Sequence, residues 1–320
     1  MNTLLPVDSL DVPRFVGVAN FMRLPTPTTL EGLEVGIIGV PCDSGAPFRT
    51  GARFGPSALR AASVMLRPVN PYHGNINVFQ TLVVGDVGDS AVVPGYLEAS
   101  FERIEESVAT LVDKGIVPIG LGGDHSVSYP ELRAVAKRHG PVSLVHFDAH
   151  TDTWDKYFAG KRHSAGTPFR RAVEENLVAP DRSIQIGMRG SLFRSTDITQ
   201  SLDLGYEVVT TDDIYVMGID ALAERVRRRV GTHPVFLTFD MDFVDPASAP
   251  GVETPEAGGP NARETLQIVR SLTQLNIVGT DLVEVCPSYD NASQTTALLG
   301  ATIIAEFLAL LAVAKQARGG

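Results

Sequence analysis

Asp148-Ala149-His150-Thr151-Asp152 places two carboxylates and an imidazole at alternate positions, and Asp240-Met241-Asp242 repeats the carboxylate spacing further along the chain. In extended backbone, alternate side chains share one face, so Asp148, His150 and Asp152 project together if the strand persists, and Asp240 and Asp242 do the same. A third cluster, Gly122-Gly123-Asp124-His125-Ser126, offers His125 behind two glycines that let the chain turn tightly. Four carboxylates gathered with two imidazoles at one mouth would repel one another strongly unless cations neutralised them, and a pair of divalent ions meets that need. Oxygen-dominated coordination with a minority of imidazole suits manganese on ligand type, while the general affinity order favours zinc. A single Asp-x-Asp is an ordinary turn or helix cap. The coincidence of three clusters is what points to metal.

Each cluster follows an apolar run of the kind that forms a strand. Such runs, rich in Val, Ile and Phe, fall at 33–40, 78–85, 116–121, 143–148, 184–188, 206–210, 235–240 and 277–283. Amphipathic stretches of helical period lie between them at 99–114, 130–139, 169–177, 219–230 and 262–275. Buried strands alternating with helices predict an α/β fold, a mainly parallel eight-stranded sheet covered on both faces. Ligands of such sheets bind at the carboxyl ends of the strands, where the three clusters stand. Proline-containing stretches are short and no repeat or low-complexity segment occurs, so residues 1–320 are expected to form a single domain with an N-terminal arm of about 30 residues.

The formal net charge of -10 argues against nucleic acid as a partner. It would also draw cations towards the surface. Two cysteines, Cys42 and Cys286, and a start without a basic, apolar leader predict a reducing, cytoplasmic location and rule out a thiolate zinc site. The apolar segment 297–314 is long enough to span a membrane, but it carries Glu306 and lacks flanking aromatic belts. It reads as a buried helix, so no membrane association is expected.

With these clusters in this order, the chain resembles the ureohydrolase family of arginases, agmatinases and guanidino-acid hydrolases. The resemblance extends through Arg49-Thr50-Gly51-Ala52-Arg53-Phe54-Gly55-Pro56 and Asp281-Leu282-Val283-Glu284-Val285 and covers roughly residues 14 to 315. It implies a three-layer α/β/α sandwich and two metal ions. One would be held by His125, Asp148, Asp152 and Asp240, the other by His150, Asp148, Asp240 and Asp242, with Asp148 and Asp240 bridging. It further implies metal-bound hydroxide attacking the carbon of a guanidino substrate to release urea and an amine. Glu284 would fix the guanidinium through charged hydrogen bonds, and Asp245 would stabilise its own turn. Assembly into homotrimers or hexamers is implied as well.

Two segments depart from the family pattern. In Arg162-His163-Ser164-Ala165-Gly166-Thr167, Ala165 stands where the family carries its proton-shuttling histidine. Either the loop rearranges so that His163 takes over that role, which is the favoured expectation, or the proton passes through water or another group and His163 is an ordinary surface histidine. In Ala249-Pro250-Gly251-Val252-Glu253-Thr254-Pro255-Glu256, Val252 and Glu253 replace small residues. Glu253 and Thr254 are expected at the substrate, and a Glu253 carboxylate would either favour a cationic tail or face solvent. The start, Val12-Pro13-Arg14-Phe15-Val16-Gly17 with Phe21-Met22-Arg23-Leu24-Pro25, resembles the branch of 4-guanidinobutyrases, guanidinopropionases and proclavaminate amidinohydrolases, which also holds many agmatinases, and tilts the expectation slightly towards a guanidino acid. Agmatine and 4-guanidinobutyrate lead as substrates. The alternatives are another guanidino acid or a formimino amino acid on the same site, and a metal-binding pseudoenzyme. Zinc deacetylase relatives are disfavoured by His150 together with Asp152.

Overall fold

A computed structural model describes residues 4–319. Its main sheet has eight strands: β1 (Val35–Gly39), β2 (Val84–Asp89), β3 (Val117–Leu121), β4 (Ser143–Phe147), β5 (Ile184–Met188), β6 (Glu207–Thr210), β7 (Pro234–Asp240) and β8 (Asn276–Val283). They pair in the order β2-β1-β3-β8-β7-β4-β5-β6, and every pairing is parallel. The central strands are buried along almost their whole length. That is why they read as unbroken apolar runs rather than alternating ones. A two-stranded antiparallel ribbon joins 69–70 to 76–77.

Helices cover both faces and form two apolar clusters. One holds Leu237, Phe239 and Phe307, the other Phe101, Leu132 and Phe236. Four of the five expected helices fall within two residues of the expected start, at Leu97–Val112, Ser128–His139, Pro168–Glu174 and Ala262–Ser271, and Ile219–Val230 matches at both ends. The second strand is the misplaced element. Val78–Thr81 is a helical turn capped by the Asn77 side chain, and the strand begins only at Val84. A local side-chain cap outweighs the strand propensity of Val78 and Phe79.

The C-terminal helix Thr295–Ala317 is long and apolar enough to cross a membrane, yet it is mostly buried inside the fold. Its Glu306 accepts from Arg270 Nε and Asn70 Nδ2, both at 2.7 Å. The N-terminal arm is pinned by Arg23, whose guanidinium donates to Ser9 Oγ and to the carbonyls of Val12 and Val16.

For the site, the register matters most. Leu121, Leu282, Phe239 and Phe147 stand level across the four central strands β3, β8, β7 and β4. Residues one to four positions beyond that line therefore emerge together at one edge of the sheet.

Candidate metal centre

Asp240 ends β7, Asp148 follows β4, Glu284 follows β8, and His125 follows β3 after the two glycines. His125 is fully buried. Its Nε2 meets Thr238 Oγ1 at 2.9 Å, which turns Nδ1 towards the sheet edge. There Nδ1 lies 3.0 Å from Asp148 Oδ2, 3.0 Å from Asp152 Oδ2 and 3.2 Å from Asp240 Oδ2. Despite that closeness, Nδ1 makes no hydrogen bond of acceptable geometry with any of them. One nitrogen and three carboxylate oxygens converge on a common point, as donors to a cation do. A second group lies beside it, with His150 Nδ1 3.3 Å from Asp148 Oδ1 and 3.0 Å from Asp242 Oδ2. Asp148 offers one oxygen to each group.

The carboxylates are aimed by backbone and neighbours. Asp148 Oδ1 accepts from His150 N at 2.6 Å, Asp240 Oδ1 from Asp242 N at 2.7 Å, and Asp242 Oδ1 from Ala149 N at 3.0 Å. Asp152 and Glu284 sit at φ of 49° and 67°. These left-handed conformations strain non-glycine residues and concentrate at functional positions.

His146 was not singled out from the sequence. Its Nε2 meets Asp148 Oδ2 at 2.7 Å and its Nδ1 meets Gln185 Nε2 at 2.9 Å. Because the Gln185 amide nitrogen can only donate, the network assigns the His146 proton to Nε2, which donates to Asp148. Burial lowers His146 to about 4, so it is a neutral imidazole that orients Asp148. The signal was available, since His146 stands two residues before Asp148 in the run 143–148 that reads as a strand.

Electrostatics at the edge are those of crowded acids. Burial first, then Asp148, raises Asp152 to about 7. Burial and then Asp242 raise Asp240. Burial and then Asp148 raise Asp242. Burial pushes Asp148 the same way, but the imidazoles of His146, His125 and His150 outweigh it and hold Asp148 well below the usual range. Divalent cations would replace the protons that these shifts recruit, so the residues present fit such ions.

A cavity of about 510 Å³ opens over this edge, lined by His150, Asp152, Asp240 and Glu284 and walled by Trp154, Tyr157, Phe193 and Ala165. Glu284 Oε1 accepts from His125 N at 2.7 Å, while its Oε2 is buried and reached by no N–H. Thr254 lines the cavity and donates to Asp242 Oδ2 at 3.1 Å. Asp245 accepts from Ala247 N and Gly258 N and so holds its own turn.

Two expected placements are not met. His163 does not line the cavity. Its ring stacks on Tyr129, meets Phe101 edge-on, and brings Nδ1 to 3.5 Å from Glu98. The loop does not rearrange because Ser164 N bonds to Thr167 Oγ1 and Ala165 N to Gly45 O, which turn His163 outward. Replacing His163 with alanine is accordingly expected to change urea release by less than about twofold, the size typical of side chains away from the chemistry. A loss of a hundredfold would return it to the reaction.

Glu253 neither faces solvent nor lines the cavity. It is fully buried behind Glu284, and burial, then the Glu284 charge, pushes it up to about 12, making it a neutral acid. Its loop is drawn inward because Val252 packs in the core and bridges to Val285.

The Arginase family model matches residues 33–310. The chain belongs to the arginase family. It is 47% identical to the mitochondrial agmatinase of Gallus gallus over 96% of this chain and 89% of that one. It is 43% identical to the guanidinobutyrase of Pseudomonas aeruginosa over 96% of each. Among solved structures, proclavaminate amidinohydrolase from Streptomyces clavuligerus superposes with a TM-score of 0.90 at 37% identity, covering 94% of this chain and 99% of that one. This arginase-family chain is thus a hydrolase of the class that acts on guanidino carbon–nitrogen bonds, built on the arginase fold.

Proposed function

We propose that this protein hydrolyses a linear guanidino compound, with agmatine and 4-guanidinobutyrate as the leading substrates, to urea and the corresponding amine. The observation that carries the reading is the convergence of His125 Nδ1 and three carboxylate oxygens beneath a cavity that also exposes Glu284. Two divalent ions, manganese on ligand type, would be held by His125, Asp148, Asp152 and Asp240 and by His150, Asp148, Asp240 and Asp242. When bound, they supply a water nucleophile of lowered pKa and neutralise the acids.

The remaining work falls to the chain's own groups. Glu284 Oε2, which no N–H reaches, accepts a guanidinium N–H and orients the reacting carbon, while Oε1 stays tied to His125 N and the neutral Glu253 carboxyl bonds to Glu284 from behind. Asp148 is held in place by neutral His146. The apolar wall of Trp154, Tyr157 and Phe193 limits bulk water around the substrate chain. Ala165 carries no proton donor, so the proton needed by the departing amine comes through water in the cavity.

Two further expectations have support of their own. Cys42 and Cys286 are buried and unpaired, consistent with a reducing, cytoplasmic location. Leu10, Phe15 and Val18 on the arm are exposed, which supports assembly into a homo-oligomer, a trimer or hexamer.

The test is urea release by manganese-loaded protein from agmatine, 4-guanidinobutyrate, 3-guanidinopropionate and arginine in parallel. Urea from the first or second is the expected result. Glu284→Gln should then lower kcat/KM by about ten- to hundredfold, the loss of a charged hydrogen bond. A second reading, a metal-binding protein without turnover, is favoured by Ala165. Stoichiometric metal with no urea from any guanidine would establish it.

A further inference from the structure

The cavity changes character away from the sheet edge. Trp154, Tyr157 and Phe193 stand pairwise at 67–79°, with ring centroids 5.7–6.5 Å apart. Each pair is in edge-to-face contact, so the three rings make one aromatic wall of the cavity, a partial box, and the electron-rich faces of aromatic rings attract cations.

Asp197 lines the same cavity and is only 3% exposed. Its Oδ2 accepts from Arg194 N at 3.0 Å, whereas Oδ1 is buried with no hydrogen-bond donor. No lysine, arginine or histidine among the described residues lies within ion-pairing distance of it. Burial of such an oxygen is costly unless a donor arrives. The three rings and Asp197 line one cavity with Asp152 and Asp240. The Tyr157 hydroxyl, raised first by burial and then by Asp152, also feels the Asp197 charge.

A negatively charged tail would find no counterpart here. Arg189, the lining arginine, spends its guanidinium on the carbonyls of Asp242, Phe243 and Glu256. His150, the lining histidine, faces Asp148 and Asp242 through Nδ1 and Glu256 through Nε2.

We infer that Asp197 with the box of Trp154, Tyr157 and Phe193 is a subsite for a primary ammonium, so that the substrate is a guanidine with a cationic rather than a carboxylate tail. Among the two leading compounds this selects agmatine. The choice runs against the slight lean towards a guanidino acid that the N-terminal residues introduced. The inference rests on the proposed guanidine hydrolysis for the reacting end only.

Agmatine and 4-guanidinobutyrate share the reacting group and differ at the tail, so the ratio of their kcat/KM values isolates the subsite. The parent protein is expected to favour agmatine by at least about tenfold, and Asp197→Asn to bring the ratio near one by lowering agmatine about ten- to hundredfold, mainly through KM. Asparagine keeps an oxygen for Arg194 N, so the fold should survive. Phe193→Leu, at a ring that is 79% exposed, should raise the KM for agmatine roughly two- to fivefold. A parent that prefers 4-guanidinobutyrate, or a ratio indifferent to Asp197→Asn, overturns the inference.

A second readout does not depend on turnover. Trp154 is the chain's single tryptophan, so its emission reports occupancy of the box. In metal-loaded protein, putrescine should give a saturable change that Asp197→Asn abolishes, and glutarate should give none. That pattern without urea from any guanidine would sink the proposed reaction and leave the subsite standing. No response to putrescine, or an equal response to glutarate, would sink the subsite.

Discussion

Chelation of the purified protein is expected to abolish urea release and to lower the melting temperature by roughly 10 °C, with manganese restoring both. An ion present at a hundred times its dissociation constant stabilises the folded state by about 2.7 kcal/mol, so two contribute about 5, and a domain of this size shifts roughly 2 °C or more per kcal/mol. The reason lies in what the ions relieve. Without them Asp152, raised by burial and by Asp148, titrates at about 7; Asp124, raised by burial outside the ligand set, adds a second group at about 6. Both pKa values are above those of the unfolded chain. Stability from such groups is complete below the unfolded carboxylate range and lost as pH rises through the folded value, here between about pH 4 and 7. Asp148, whose folded value is depressed, acts in the opposite sense below that window. Metal-free protein should therefore melt at lower temperature at pH 8 than at pH 5.5, and the gain on adding manganese should be greater at pH 8. Equal melting temperatures with and without manganese at pH 8 would mean that the cluster is not a metal centre.

Gly123→Ala is expected to destabilise the fold by more than about 4 kcal/mol or to prevent soluble expression. A methyl group there would overlap the carbonyl oxygen of Cys42 and come within 2.6 Å of its carbon and 2.8 Å of its nitrogen. All three are backbone atoms and cannot rotate away. The peptide is also tied on both sides: Asp124 N donates to Cys42 O and Glu284 N to Gly123 O, each at 2.8 Å. Any shift that relieves the overlap moves His125 and Glu284 together, so a variant that does fold should lose metal affinity. The midpoint of denaturant unfolding measures the first outcome and metal titration the second. A midpoint within about 1 kcal/mol of the parent, with metal binding intact, would show that the loop is more pliable than its contacts imply. Tight turning is not what requires this glycine, because its φ is not positive. Close approach of two backbone segments is the physical reason for it.

The legible part of this protein was whatever depends on local pattern. Buried strands announced themselves as apolar runs, and the acidic clusters that follow them were legible as candidates at strand ends. The period-two reason for their convergence does not hold, because the strand stops at Phe147, Asp152 is left-handed and Asp242 lies in a helical turn over Met241–Phe243. Parallel pairing then carried the ends to one edge, so six residues from three distant segments could be named together. Three things were decided only by tertiary structure, because each depends on which segments meet. The outward turn of His163 follows from hydrogen bonds of Ser164 to Thr167 and of Ala165 to Gly45. The burial of Glu253 follows from the packing of Val252 against Val285. The neighbourhood of Asp197 with Trp154, Tyr157 and Phe193 joins loops whose sequences carry no common pattern. Periodicity encodes the direction of a side chain relative to its own strand or helix. It does not encode what another loop brings opposite, and in this protein that juxtaposition shapes the cavity where the substrate's tail would lie.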